Sequence, residues 1–294
     1  MKRGIPIYLM ILPGLLYFLI FRYAPMGGLI IAFKDYDPFA GFLNSAWVGL
    51  DQFKRLFAER DLLKLLSNTL SLSLLNLIFF FPAPIIIALF LNEVRVKVFR
   101  RTIQTVTYMP HFVSWVVVVS ITVLLFGTQD GALNQWLVNN GMNRMEIMTK
   151  SAFFRPLYVF LNIWKETGWS AIIFIATMAS VDPSLYEASV VDGASRIQKI
   201  IHINLPALKS TIIILFILRL GSVLDSGFEF IYLLQNPLNM PVSDVFDTFV
   251  FRVGIQNGQF SYTTAIGLFK SVVGLILILG ADWLAKKAGE EGVY

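Results

Sequence analysis

Four charged residues lie deep inside apolar stretches of this 294-residue chain: Lys165, Glu166, Arg219 and Lys270. A charge at membrane depth is costly and persists where it meets a polar cavity, a partner charge or water. At the helical rise, Lys165 and Glu166 are about nine residues, roughly 14 Å, into one run. Arg219 is about twelve residues into a second run and Lys270 about seven into a third. Polar neighbours at helical spacing widen each charge into a stripe. One stripe holds Asn162, Lys165, Glu166 and Trp169, with Trp164 adjacent. A second runs from Arg219 through Ser222, Asp225, Ser226 and Glu229, and a third holds Thr263, Gly267, Lys270, Ser271 and Gly274. Such stripes face one another, a partner subunit or water. Pairing inside a helix bundle, Lys165 with Glu166 or Arg219 with Glu229, is the alternative for any single residue.

Other chemistries lack their residues. The chain has no cysteine, which removes disulfides, thiolate nucleophiles and cysteine-ligated metals. His111 and His202 are too few for a histidine metal site; they read as helix-end packing and as a surface residue. There is no His-Glu-x-x-His, no Gly-x-Ser-x-Gly and no Gly-x-x-x-x-Gly-Lys-Ser/Thr phosphate loop. A membrane-embedded enzyme therefore has no machinery here. If ATP drives any process, another chain must bind it.

The elements that position the charged stripes are membrane helices. The chain is 56% hydrophobic and 15% charged, with mean hydropathy +0.68; soluble domains carry about 25% charged residues. Six apolar runs are long enough to span a bilayer: 5–33, 68–91, 108–126, 157–179, 207–223 and 263–284. The basic start, Met1-Lys2-Arg3, resembles a signal peptide, but no small-residue cleavage site follows, so the first run reads as an uncleaved span. Its 29 residues make about 43 Å, so it must tilt or bend, with Pro25 and Gly27-Gly28 as candidate break points. Pro82 and Pro84 predict a kink in the second run. Residues 52–66 read as one short amphipathic surface helix. The segments 128–156 and 235–262 read as long polar loops. The whole, 1–294, is expected to form a single transmembrane domain.

Basic residues orient it. Six spans put both termini on one side, with eleven Lys and Arg on roughly 60 loop residues; the other side has nine on roughly 90. The denser side is expected in the cytoplasm, both termini with it. The net charge of +5 then reads as loops facing anionic lipid, not nucleic acid.

The segment 181–206, between spans four and five, is polar yet patterned. Asp182-Pro183 predicts a helix start, with Asp as N-cap and Pro at the first helical position. Gly193 can end that helix in the left-handed conformation. Ser195 and Gln198 form a capping-box pattern for a second helix, which Pro206 is expected to close where the fifth span begins. The residues are Glu187-Ala188-Ser189, three residues, Asp192 being the last, then Gly193, nine residues, and Ile203-Asn204-Leu205-Pro206. This resembles the EAA loop of binding-protein-dependent ABC importer permeases, Glu-Ala-Ala, three residues, Gly, nine residues, Ile-x-Leu-Pro. Spacing agrees throughout; Ser189 replaces the second Ala. Softer likenesses cover nearly the whole chain. Ile11-Leu12-Pro13-Gly14, Ile31-Ala32-Phe33-Lys34-Asp35-Tyr36, Tyr108-Met109-Pro110-His111-Phe112 and the region from Gly227-Phe228-Glu229 onward look like carbohydrate permeases, in particular the branch serving complex oligosaccharides such as pectin and rhamnogalacturonan fragments.

The resemblance implies an all-α, polytopic membrane protein with six transmembrane helices, the MetI-like permease fold, in a bacterial cell membrane. It implies no cofactor in this chain, with ATP and Mg on two copies of a partner ATPase. It implies a second, related permease subunit, a heterodimer in preference to a self-dimer, an extracellular solute-binding protein and an oligosaccharide cargo. Glu187, Ala188, Ser189, Asp192, Gly193, Ile203, Leu205 and Pro206 would form the loop that docks on the ATPase. A sugar site needs hydrogen-bonding groups and an aromatic face, which Lys165, Glu166, Trp169 and Trp164 would supply. Three mid-depth cations against one anion would favour an acidic saccharide, unless Asp225 and Glu229 offset them. An ion-driven secondary transporter is the alternative; it leaves the loop unexplained and needs an inverted repeat, which is not seen.

Overall fold

The computed structural model describes residues 5–290 and 292. By internal contacts the chain divides into two units, Met1–Leu62 with Phe249–Val272, and Leu63–Thr248 with Val273–Tyr294. Helix dominates both. In the first unit, α1 (Tyr8–Phe33) is long enough to span a membrane, and every residue from 8 to 27 is exposed. An apolar helix exposed on all sides has no core to bury itself in, and lipid or a partner must cover it. A short antiparallel pair follows, β1 (Lys34–Asp35) with β2 (Ala46–Trp47). Next comes α2 (Asp51–Ala58). Its Arg55 lies 4.1 Å over the Tyr262 ring and donates to Gln259.

In the second unit, α3 (Leu62–Glu93) is followed by α4 (Lys97–Phe112) and α5 (Trp115–Phe126), which meet at a 98° bend. Then come α6 (Ala132–Asn139), α7 (Ser151–Ala179), α8 (Pro183–Val191) at a 74° bend, α9 (Arg196–Gly221) and α10 (Phe228–Leu234). The short α11 (Phe246–Val250), the π turn after it and α12 (Phe260–Lys287) follow, with residues 249–272 belonging to the first unit and the rest to the second. Among the described residues, α1, α3, α9 and α12 are long and apolar enough to cross a membrane; counting each bent pair as one span makes six.

The structure revises four local expectations. The helix expected over 52–66 ends at Ala58, and Leu62 already begins α3. The third span begins at Lys97 and breaks beside Ser114, whose side chain accepts from the Val117 N–H to start α5. Pro110 forces that break, since it has no N–H to give the helix and stands in a tight 3-10 turn. The segments 128–156 and 235–262 carry helical pieces of their own. Lastly, Pro206 closes nothing: α9 runs unbroken from Arg196 to Gly221.

Three prolines, one in each of three membrane helices, share one solution. Ala24, Phe81 and Leu205 each bond the carbonyl five residues back, to Leu19, Asn76 and Ile200. Each is followed directly by Pro25, Pro82 or Pro206. A proline ring clashes with the carbonyl four residues earlier in a regular α-helix. One wider π turn moves that carbonyl aside, so the helix continues.

The helix α7 is the hub of the second unit. Its Phe154, Leu157 and Tyr158 pack with Leu72, Val118 and Phe230 in one buried cluster, and its Ala171, Phe174 and Met178 pack with Ala88 and Leu208 in another. At Gly168 it touches α4 so closely that an added Cβ would strike the Thr107 carbonyl. Two contacts join four segments of the unit. Tyr186 of α8 meets Asn92 and Glu93 at the end of α3, and Lys209 of α9 pairs with Glu290 beyond α12. The close α4–α7 crossing predicts that Gly168→Leu costs about 1–3 kcal/mol through forced separation of the backbones. Thermal unfolding of the purified assembly measures this, and an unchanged midpoint refutes it.

Candidate functional site

A cavity of about 470 Å³ opens in the second unit. Its wall from α7 is the row Tyr158, Asn162, Glu166 and Ser170, each four residues after the last. Asn76 and Phe80 come from the π turn of α3, Trp115 from the start of α5, and Arg219 from the end of α9. Asp225 to Gly227 and the first residues of α10, Phe228, Glu229 and Phe230, complete it.

Hydrogen bonds and stacking fix this shape. Asn76 Nδ2 donates to the Tyr158 hydroxyl at 2.8 Å, and that hydroxyl donates to the Ser226 carbonyl at 2.7 Å. Phe230 stacks between Trp115 (4.0 Å between centroids) and Tyr158 (5.1 Å). The Ser226 N–H donates to Asp247. The stretch between α9 and α10 is therefore tied to α3 and α7, and it presents Asp225 and Glu229 to the cavity. The expected helical stripe Ser222–Glu229 does not exist as one helix. The helix ends at Gly221, the chain turns, and α10 begins at Phe228. Ser222 instead turns its hydroxyl to the Arg219 carbonyl at 3.2 Å.

The α7 stripe is rotated from expectation. Asn162 and Glu166 line the cavity, but Lys165 is buried behind it. The Lys165 ammonium donates to the His111 carbonyl (2.7 Å) and to Glu166 Oε1 (2.9 Å), and lies 5.1 Å from the Trp115 ring centre. His111 Nδ1 is 2.7 Å from Glu166 Oε2, and its ring stacks flat on Trp169 at 4.6 Å. This cluster pins the α4–α5 elbow to α7, so His111 does more than pack a helix end. Trp169 lines a neighbouring cavity, while Trp164 is half exposed and lines neither. Lys270 belongs to the other unit. The cavity charges are thus three carboxylates, Glu166, Asp225 and Glu229, and one guanidinium, Arg219. The expected surplus of cations is not found in its lining.

The polar loop folds as its caps direct. The Asp182 side chain accepts from the Ser184 N–H at 2.9 Å, starting α8. Bonds from the Ser184 backbone and hydroxyl hold the Asp182 carboxyl below its usual range, so the cap is ionised at any physiological pH. Gly193, at φ +69°, ends the helix where a side chain would be strained, and Ala194 N–H closes on the Ser189 carbonyl at 2.9 Å. Ser195 and Gln198 form the full capping box. Ser189 is buried and donates to the Tyr186 carbonyl at 2.6 Å, which satisfies its hydroxyl where the motif has alanine. Tyr186 in turn donates to Asn204 at 2.5 Å and locks α8 to the π turn of α9; burial raises its pKa. Glu187, Ala188, Asp192 and Gly193 are left exposed, with Val190, Val191 and Ile197 beside them. Ala188, Asp192, Gly193 and Ile203 line a cleft of about 450 Å³ between the two helices. Leu205 and Pro206 are exposed on the first turn after the π turn.

Breaking a buried ion pair from one side costs about 3–5 kcal/mol, because a charge is left behind. Glu166→Gln should therefore destabilise the protein by about that much, and Lys165→Met added to it should recover most of the loss. Thermal unfolding of the assembled complex checks this; equal losses in the single and double variants refute the pairing.

With this geometry in view, comparison with known proteins is specific. The family described as binding-protein-dependent transport system inner membrane component matches residues 80–290. The chain is 53% identical over 294 residues to Protein LplB of Bacillus subtilis (strain 168), covering all of this chain and 92% of that protein. It is 52% identical over 288 residues to the polygalacturonan/rhamnogalacturonan transport system permease protein YteP of the same organism, covering 98% and 90%. In structure it resembles a chain of a bacterial alginate ABC transporter, solved in complex with its alginate pentasaccharide-bound periplasmic protein. The TM-score is 0.88 and the identity 40%, with 99% of this chain and 98% of that chain covered. The chain belongs to the family of binding-protein-dependent transport system inner membrane components, and it is a permease subunit of an ABC importer, not an enzyme.

Proposed function

We propose that this permease forms one half of an ATP-driven importer for acidic oligosaccharides, those built with uronic acids. The cavity carries the reading. Asn162 and Ser170, with the carboxylates, offer hydrogen bonds to sugar hydroxyls, and Trp115, Phe80 and Phe228 offer apolar ring faces. The net charge of the lining does not argue for an anionic cargo; what supports it is the relatives, whose names specify polygalacturonan, rhamnogalacturonan and alginate, together with Arg219. A guanidinium is the planar, two-pronged partner a carboxylate prefers.

Such a permease works with partners. A second, related permease completes the pathway, since the cavity wall here comes from one chain. Two ATPase subunits bind ATP and Mg and drive the cycle. A solute-binding protein delivers the saccharide. The dock for the ATPase is the face presenting Glu187, Ala188 and Gly193, where small residues permit close approach and the glutamate can meet a basic rim. The loop and both termini face the cytoplasm, as the denser basic residues argue.

Two measurements test this. Competition for uptake by acidic and neutral oligosaccharides should favour the acidic ones, and preference for neutral sugars ends the acidic reading. Gly193→Asp should insert in the membrane normally but lose ATPase attachment or coupling, since aspartate strains the left-handed turn and places a bulky charge on the dock. A fully coupled G193D complex refutes the assignment of the dock.

A further inference from the structure

The cavity described above has a neighbour of about 340 Å³, and the two share three lining residues, Phe80, Ser170 and Arg219. They follow one another along α7. The first is walled by residues 158 to 170 of that helix, and the second by Trp169, Ser170, Ile173 and Phe174, nearer the loop that carries the dock. Their chemistry differs sharply. The first holds three carboxylates and several hydrogen-bonding side chains. The second is apolar apart from Ser170 and Arg219; Phe81, Pro84 and Leu215 complete its walls.

Arg219 thus stands at the threshold between a polar chamber and an apolar one. Its guanidinium lies 5.8 Å over the Phe80 ring, itself a shared wall. Such stacking is weak at an exposed site, so the side chain can leave the ring for a stronger partner. Arg219 is exposed, not locked in the core. It is also the only cationic side chain among the described residues lining either chamber.

We propose that Arg219, resting on Phe80, is the residue that selects uronate over neutral sugar at this threshold. This rests on the acidic-saccharide reading given above. The first chamber offers its amide and carboxylates to sugar hydroxyls, and among its described lining residues only Arg219 offers a cation to a uronate carboxylate. Arg219 offers that carboxylate a two-pronged partner where the saccharide loses water on entering the apolar chamber. A charge moved there without a partner bears the full desolvation cost, while a neutral sugar bears less. The stacked ring keeps the guanidinium aimed across the opening when no cargo is present.

The test uses the complete importer in proteoliposomes, this chain with its partner permease, ATPases and binding protein. ATP-driven uptake of trigalacturonate is compared with uptake of its methyl-esterified, neutral form. The same binding protein delivers both, so a change in their ratio between variant and wild type reports the membrane step. Wild type should prefer the acid. Arg219→Gln should lower that preference about tenfold or more, the worth of a charge-assisted hydrogen bond. Arg219→Lys, which keeps the charge but loses the fork, should lower it severalfold and reads the same effect if Arg219→Gln fails to assemble. An unchanged ratio in both variants, even with slower transport, overturns the role of Arg219 and leaves the acidic-cargo reading standing. A wild-type complex that takes up both forms alike, or neither, removes that reading and this inference with it.

Discussion

Inside hydrocarbon a backbone N–H or C=O has no water to turn to, and leaving one unpaired costs several kcal/mol. This permease obeys that constraint even where its sequence seems to violate it. Pro25, Pro82 and Pro206 each remove a donor from the middle of a membrane helix. In all three cases the residue just before the proline reaches back five positions, and the helix passes through. The π turn at Asn76–Phe80 has a second consequence. It turns Asn76 and Phe80 toward the cavity, so the device that rescues a proline also builds part of the site.

The same constraint governs side chains. Lys165 survives burial because it has a carbonyl and a carboxylate within 3 Å. The partner carboxylate, Glu166, is shared with His111, which sits at the elbow where α4 gives way to α5. A buried charge thus serves as a fastener between a broken span and a straight one. Arg219 is different. It lies against an aromatic ring and opens onto both chambers. Of the charges in the apolar runs of this unit, Lys165 is structural, Glu166 is shared between structure and cavity, and Arg219 lines both cavities.

The loop 181–206 is held by contacts that are local. Asp182, Gly193 and the Ser195–Gln198 box each terminate or start a helix, and Tyr186 ties the first helix to the π turn of the second through Asn204. α9 continues from this loop to Arg219, so a single helix joins the loop to the lining of the cavity.

The membrane character, the helical class and the capped loop were legible in the sequence alone. Apolar run length is set by bilayer thickness, and cap residues act on their own few neighbours, so both are local signals. Asn162, Glu166 and Arg219, singled out by their depth and spacing, line the cavity; Asp225 and Glu229 line it too, but from a turn and a new helix, not from the single helical stripe that was expected. Only the tertiary structure decided how each helix is rotated. It buried Lys165, set Trp164 aside, and chose the row 158, 162, 166 and 170 over the row that begins 162, 165, 166 and 169. Both rows satisfy helical spacing, and the choice is made by packing against α3, α4 and α5. The roles of Asn76, Tyr158, Trp115 and His111 were hidden for the same reason. Each acts through a partner more than forty residues away in the chain, and nothing in a linear pattern records which distant element a side chain will meet.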